Sequence, residues 1–305
     1  MTRGVVAASG GGGYEVRLED GRTVHAVLRG RVKRQARVGD RVVIGDQVEV
    51  DRVEGSAGEG EWSIEAVLPR ASVITRQGYS ERRPKVIAAN LDRMFAVVAA
   101  RDPEPRLAQL DRLLVIAEAN GIPATVLVNK VDLSRAREPL ERIRALYEAI
   151  GYPVLAASAE SGEGLEELRE ALSKGTSALI GASGVGKSSL LNALAPSLDL
   201  RVGELSRRVR RGRHTTVRSR LLELPFGGLV ADTPGFGDVG VWGVPADEVE
   251  DCFPEIRALR DECRFRGCAH LSEPGCAVLE ALHAGAIARS RWESYRALRQ
   301  GDEAD

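Results

Sequence analysis

Chemistry enters this sequence at Gly181-Ala182-Ser183-Gly184-Val185-Gly186-Lys187-Ser188. The spacing is that of a phosphate-binding loop. Its glycines let backbone N–H groups turn inward on phosphate oxygens, Lys187 sets a point charge against the β- and γ-phosphates, and the Ser188 hydroxyl can ligate Mg²⁺. Ser189 continues into a helix whose positive end faces the same anion. A second motif is Asp232-Thr233-Pro234-Gly235, which closes the apolar run 228–231. An aspartate at a strand end beside a phosphate loop is placed to position Mg²⁺, and the Gly235 amide can meet a terminal phosphate. Alone such a tetrapeptide is an ordinary turn; beside the loop's strand it is expected to be functional.

Asn129-Lys130-Val131-Asp132 ends another apolar run, 124–130. The Asp132 carboxylate can accept from the N1–H and exocyclic amine of guanine, a donor pair that adenine does not present. Asn129 can brace the loop and reach N7, and the Lys130 stem can lie along the base face. Downstream, Ser158-Ala159 closes the next run, where a backbone N–H could meet the guanine O6. NKVD by itself is a weak signal. At the end of a strand, with Ser-Ala ending the next, it points to guanine.

Cys263, Cys268, His270 and Cys276 crowd three thiols and an imidazole into one short segment. Four sulfur and nitrogen ligands with no vacant position describe a structural, tetrahedral zinc site, one ion per chain. Such a site contributes about 10 kcal/mol or more of apparent free energy to folding its segment. Cys252 and His283 fall outside the spacing, and each is read as buried or solvated rather than as a ligand. This cysteine usage suits a metal in a reducing compartment rather than a secreted disulfide framework.

These groups need a scaffold, and the chain has room for one. At 305 residues, 43% hydrophobic and 29% charged, it has ordinary globular usage and the length of two or three domains. It begins without a secretory apolar core and has no apolar run of membrane-spanning length, so a cytoplasmic protein without a membrane partner is expected. Residues 1–70 read as β, with strands expected at 14–18, 24–28, 41–44, 47–53 and 63–68, separated by turns such as Asp20-Gly21. So many strands in so short a stretch suggest a small barrel, with an OB-fold as first choice. A polar connector spans roughly 70–85. Within a second domain, 71–240, apolar strands at 94–100, 124–130, 153–158 and 177–181 alternate with helical patterns. That alternation means a mostly parallel sheet covered on both faces, with ligands at the carboxyl ends of its strands. A third domain, 241–305, holds short helices, the Cys/His cluster and one amphipathic helix, 277–300. The fold class is therefore multidomain: a β-barrel, an α/β phosphate-loop domain and a helical zinc-binding domain.

Net charge is −1, so no global field draws the protein to nucleic acid. Local charge differs. Eight arginines against Glu204 between Arg201 and Arg220 leave a stretch of +7, and a second cluster gathers Arg29, Arg31, Lys33, Arg34, Arg37 and Arg41. Two basic runs in a near-neutral chain favour a polyanionic partner.

The nucleotide motifs resemble those of the Ras-like GTPase superfamily, in a different order. There the phosphate motifs come first; here 129–132 and 158–159 precede 181–188 and 232–235. Circular permutation leaves a packed sheet intact when the old termini lie close together. With barrel, permuted GTPase motifs and CxxxxCxHxxxxxC in this order, the chain closely resembles the RsgA family. NKVD, GASGVGKSS, GRHTT, DTPGF and CRFRGCAHLSEPGC carry the resemblance over nearly the full length. The resemblance implies an OB-fold, a permuted GTPase domain and a zinc domain. It also implies a role in late maturation of the 30S ribosomal subunit, contact with 16S rRNA, and hydrolysis of GTP to GDP stimulated by that subunit. A monomer is expected.

The glutamine that orients the attacking water in Ras-like enzymes is replaced here by Phe236, which cannot do so. His214, in Gly212-Arg213-His214-Thr215-Thr216, is the candidate water-positioning residue; pairing with an rRNA phosphate and simple solvation are its alternatives. Thr215 is the choice for the switch threonine that ligates Mg²⁺, with Thr216 next to it as the alternative, and Lys187 completes the catalytic set. Two rival readings stay open: an ATP-using phosphate-loop enzyme, opposed by NKVD, and a non-catalytic RNA-binding module, opposed by intact Lys187, Ser188 and Asp232.

Overall fold

The computed structural model describes residues 1–10, 12–30, 32, 41–53, 62–76, 85–200, 219–232 and 244–301. The N-terminal region contributes β1 (Thr2–Gly10), β2 (Gly13–Leu18), β3 (Thr23–Leu28), β4 (Gln47–Arg52) and β5 (Trp62–Val67). They pair in the order β1-β2-β3-β5-β4, and β4 returns to β1, closing a barrel with the connectivity of an OB-fold. Alternate residues point inward, as the period of two requires: Val6, Val16, Leu18, Ala26, Val48, Val50 and Ile64 form the barrel core.

Two expectations about this barrel need correcting. β1 was not anticipated, because its Gly-Val-Val-Ala-Ala composition shows little contrast between faces; yet Val6 and Ala8 are buried while Arg3 is exposed. Conversely, 41–44 is not a strand. The buried Asp46 carboxylate accepts the Val43 amide at 2.8 Å and the Arg70 guanidinium at 2.7 and 2.9 Å, which bends 43–46 into a turn. Ile44 makes only an isolated bridge to Ala88. Part of the expected connector is a strand: β6 (Val73–Arg76) pairs antiparallel with β7 (Lys85–Ala89).

The central region runs β8 (Arg93–Ala99), α1 (Leu107–Ala119), β9 (Ala124–Asn129), α2 (Arg137–Glu148), β10 (Val154–Ala157), α3 (Leu165–Leu172), β11 (Thr176–Ile180), α4 (Lys187–Leu194), β12 (Ser219–Glu223) and β13 (Leu229–Asp232). β10, β9, β8, β11 and β13 lie side by side and parallel, and β12 flanks β13 antiparallel. Helices cover both faces. Met94, Ala96 and Val98 of β8 join Leu110 and Leu114 of α1 and Ile143 of α2. Phe95, Val97 and Ala99 face the other way, onto Leu168 of α3 and Leu190 of α4. Burial on both faces is why β8 reads as an unbroken apolar run.

The sheet does not stop at β12. Its far edge pairs with β1, Ala8 opposite Arg220 and Ser9 opposite Ser219, so barrel and central region share one continuous hydrogen-bonded sheet.

The C-terminal region consists of a 3₁₀ turn at Val249–Cys252, the short α5 (Pro254–Arg257), α6 (Ala277–His283) and α7 (Arg289–Gln300). The single helix expected over 277–300 is two. After His283 the chain takes a left-handed turn at Gly285, φ +77°, and the Gly285 and Ala286 amides close back on Leu282 and Ala281. That is a Schellman ending, which glycine permits without strain. This region packs its own core of Phe253, Ile256, Val278, Trp292 and Tyr295 against Val115 of α1.

Candidate functional site

Because β8, β9, β10, β11 and β13 are parallel, their carboxyl ends open on one edge, and four motifs leave from that edge. The chain after β11 forms the phosphate loop, with left-handed Gly184 (φ +87°) and Gly186 (φ +94°). Gly186 is required twice over: its backbone is left-handed, and a Cβ there would stand 2.2 Å from the Asn129 amide nitrogen. Lys187 is buried at the start of α4, and its ammonium donates to the carbonyls of Gly181 and Ala182 at 2.7 and 2.9 Å, curling the loop around it. Burial pushes the Lys187 pKa down to about 8; a polyphosphate beside it would favour the charged form again.

Asn129 ends β9, fully buried, and its side-chain amide donates to the Val185 carbonyl at 2.8 Å. This bond ties the Asn129-Lys130-Val131-Asp132 motif, expected to read the base, to the phosphate loop across 56 residues of sequence. Its Oδ1 is buried and accepts nothing among the described residues. Lys130, left-handed at φ +62°, donates to the Asp102 carbonyl, which holds its stem across the site. Asp132 is exposed, with one carboxylate oxygen held at 2.5 Å by the Ser158 hydroxyl. Ser158 is itself fixed, since its Oγ accepts from the Glu160 and Ser161 amides at 3.2 and 3.0 Å. Its own amide donates to Glu163. Of the expected Ser158-Ala159 pair, the Ala159 amide is therefore the one left for a base carbonyl. Sequence reasoning assigned this pair a backbone role and missed the Ser158 side chain.

Ser188 and Asp232 are both buried, at the start of α4 and the end of β13. A hydroxyl and a carboxylate are the hard oxygen donors that Mg²⁺ prefers. The Arg220 Nε donates to Asp232 at 3.2 Å, an interaction between directly paired residues of β12 and β13. Ala182, Ser183 and Val185 also line a cavity of about 290 Å³ against α1. His214, Thr215, Thr216, Gly235, Phe236 and the arginines 201–218 lie outside the described residues.

In the C-terminal region the ligand atoms of Cys263, Cys268, His270 and Cys276 all lie within 4.8 Å of one another. The imidazole Nδ1 is 3.5 Å from the Cys263 sulfur and 3.3 Å from that of Cys276, and those sulfurs are 3.9 Å apart. A tetrahedral zinc with Zn–S of about 2.3 Å would set sulfurs near 3.8 Å apart, so the spacing fits. Burial pushes the Cys268 thiol up to about 12 and raises Cys276 as well; a cation among them would make them thiolates. Glu250 lies 3.3 Å from His270 Nε2, the outer carboxylate that metal-binding histidines commonly carry. The Glu273 carboxylate gathers the amides of Ala269, Leu271 and Ser272. Its burial opposes ionisation, but those amides outweigh it and hold its pKa at about 2. Spacing alone did not reveal Glu250 or Glu273. Cys252 is buried with its thiol toward the Glu248 carbonyl, and His283 is exposed; neither joins the cluster.

A family model described as RsgA GTPase matches residues 67–242. The small ribosomal subunit biogenesis GTPase RsgA of Gemmatimonas aurantiaca is 47% identical over 302 residues, covering 98% of this chain and 96% of that protein. The protein of the same name from Moorella thermoacetica is 43% identical, covering 93% and 92%. Among solved structures, YjeQ from Thermotoga maritima superposes with a TM-score of 0.80 at 33% identity over 98% of both chains. YloQ, described as a circularly permuted GTPase, does so at 0.75 and 28% identity over 99% of this chain and 94% of that one. A permuted nucleotide edge, an OB-type barrel and a Cys₃His cluster occur here in one chain that matches these proteins end to end, and the chain belongs to the RsgA GTPase family.

Proposed function

We propose that this protein hydrolyses GTP to GDP and phosphate on the small (30S) ribosomal subunit, whose late maturation it assists, with turnover stimulated by that subunit. The observation that carries the nucleotide half is the Asn129–Val185 hydrogen bond, which makes base-reading and phosphate motifs parts of one site. Asp132, oriented by Ser158, reads the guanine edge, and the Ala159 amide meets O6. The loop amides of 181–186 and Lys187 hold the β- and γ-phosphates and stabilise the charge that gathers on them as the terminal phosphoryl group transfers. Ser188, Thr215 and Asp232 would hold Mg²⁺, which when bound neutralises charge between those phosphates.

The water must be positioned by something other than Phe236, and His214 is assigned that role. The basic run 201–218 carries both His214 and the switch threonine. Ordering of that run by GTP would present its arginines to 16S rRNA, and hydrolysis would release them. Zinc, one per chain, would be held by Cys263, Cys268, His270 and Cys276 as a structural ion. No described helix is long and apolar enough to cross a membrane. The protein is placed in the cytoplasm as a monomer, where ribosomal subunits are assembled.

The test is GTP turnover with and without purified small subunits, for the wild type and His214→Ala. The wild type should be stimulated; His214→Ala should bind nucleotide normally and lose the stimulation. A wild type indifferent to the subunit contradicts the partner, and a stimulated His214→Ala contradicts the role of His214.

A further inference from the structure

Asp232 is not alone at the end of β13. The strand beside it, β12, is held on both edges: β13 pairs along one, with Arg220 opposite Asp232, and β1 of the barrel pairs along the other, with Ala8 opposite Arg220. Directly paired residues share a face of the sheet, so a methyl group lies on one side of Arg220 and a carboxylate on the other. At its far end β12 is tied to the barrel again, by the ion pair of Glu223 with Arg17 at 3.0 Å. The backbone of Arg220 is thus fixed by two neighbours. Its guanidinium carries a full positive charge.

We propose that Arg220 is a positioning residue for the magnesium-side carboxylate, and that its charge sets how much Mg²⁺ the nucleotide site requires. The proposal rests on the reading of Asp232 as the Mg²⁺-positioning aspartate. Arg220 acts on that carboxylate in two opposing ways. By donating to one oxygen at 3.2 Å it restricts the rotamers of Asp232, which favours metal binding. By placing a positive charge on a buried carboxylate it offsets the charge that would attract a dication, which disfavours binding. Restricting two torsions of a short side chain is a small effect. A full charge beside the metal position, where the effective dielectric is still well below that of bulk water, is larger. The electrostatic effect wins, and Arg220 raises the Mg²⁺ requirement. Because β12 follows directly on the basic run and is hydrogen-bonded to the barrel, the Mg²⁺ setting is tied to both of those parts of the chain.

The experiment is equilibrium binding of a fluorescent GDP analogue to the full chain across a Mg²⁺ titration. Arg220→Gln should reach half-maximal tightening at roughly three- to ten-fold lower Mg²⁺ than the wild type, an effect that shrinks at high salt. Arg220→Lys, which restores the charge from the same strand position, should return to within about two-fold of the wild type, as expected of a mainly electrostatic effect. An unchanged or increased Mg²⁺ requirement in Arg220→Gln overturns the proposal, and so does an Arg220→Lys that behaves as Arg220→Gln. Asp232→Asn separates this failure from that of the underlying reading. If that variant keeps the wild-type Mg²⁺ response, the assignment of Asp232 fails, whatever Arg220 does.

Discussion

Asp132 stands at the exposed rim of the site, where a carboxylate would rotate freely unless something held it. The Ser158 hydroxyl does so, and two backbone amides hold Ser158. One carboxylate oxygen is spoken for and the other is left to a base. Removing a hydrogen bond to a charged, exposed group costs about 1–1.5 kcal/mol, or about ten-fold in affinity. Ser158→Ala should therefore weaken GDP binding by about that factor in an equilibrium titration, and should also lower the melting temperature, because the Glu160 and Ser161 amides lose their acceptor. An unchanged affinity would show that Asp132 needs no such support. Much of the site was legible at this scale because residue type and spacing carry it: Lys187, Asn129, Asp132 and the Cys₃His set are all chemistry with one favoured geometry. Ser158 as an orienting hydroxyl and Arg220 as a partner of Asp232 were not legible, since each depends on which side chains fold next to which.

Among the elements, the segment carrying the Cys₃His cluster would depend most on a partner outside the chain, a metal ion held by that cluster. Between α5 and α6 the described residues contain only a 3₁₀ turn at Arg260–Glu262, and the segment is organised by the ligand cluster and by Glu273. Trp292 of α7 reads its state directly, because its indole N–H donates to the His270 carbonyl at 2.9 Å. Chelation of zinc should release that bond and shift tryptophan emission to the red, a change that Trp292→Phe abolishes and added Zn²⁺ reverses. A chelator that leaves the emission untouched would argue for a segment that folds without metal. Elements also show where pattern misleads. β1 was hidden by small residues, 41–44 looked like a strand until the buried Asp46 turned it, and one amphipathic stretch became two helices because Gly285 sits in its middle. In each case a tertiary contact or a single φ angle overrode a local pattern.

Over the whole molecule, the regions are joined by two different devices. Barrel and central region share a sheet through β1 and β12, a junction between residues 8 and 220 that no local pattern announces. Central and C-terminal regions share a buried ionic cluster. Asp111 of α1 accepts from Arg291 of α7 at 2.7 Å, from Tyr147 of α2 at 2.7 Å and from Ser294 at 2.6 Å, while Glu255 of α5 takes the other side of the guanidinium at 2.7 and 3.2 Å. Burial alone would favour a neutral Arg291, but Asp111 and Glu255 outweigh it and hold the charge. Cutting one partner leaves an uncompensated buried charge, at a cost of about 3–5 kcal/mol. Arg291→Ala should lower the denaturation midpoint accordingly, and Arg291→Ala combined with Asp111→Ala should cost less than the two single changes summed. Strict additivity would mean the cluster is not a unit.

Guanine would be held at one edge of one sheet, where motifs from separate parts of a permuted chain converge. Competition binding of GDP, ADP and xanthosine diphosphate to the wild type and to Asp132→Asn tests it most directly. The wild type should take GDP and refuse both others. Asp132→Asn, which offers an amide N–H₂ where xanthine presents a carbonyl, should lose GDP and gain the xanthine nucleotide. A wild type that accepts ADP as readily as GDP, or an Asp132→Asn that still prefers GDP, would contradict it.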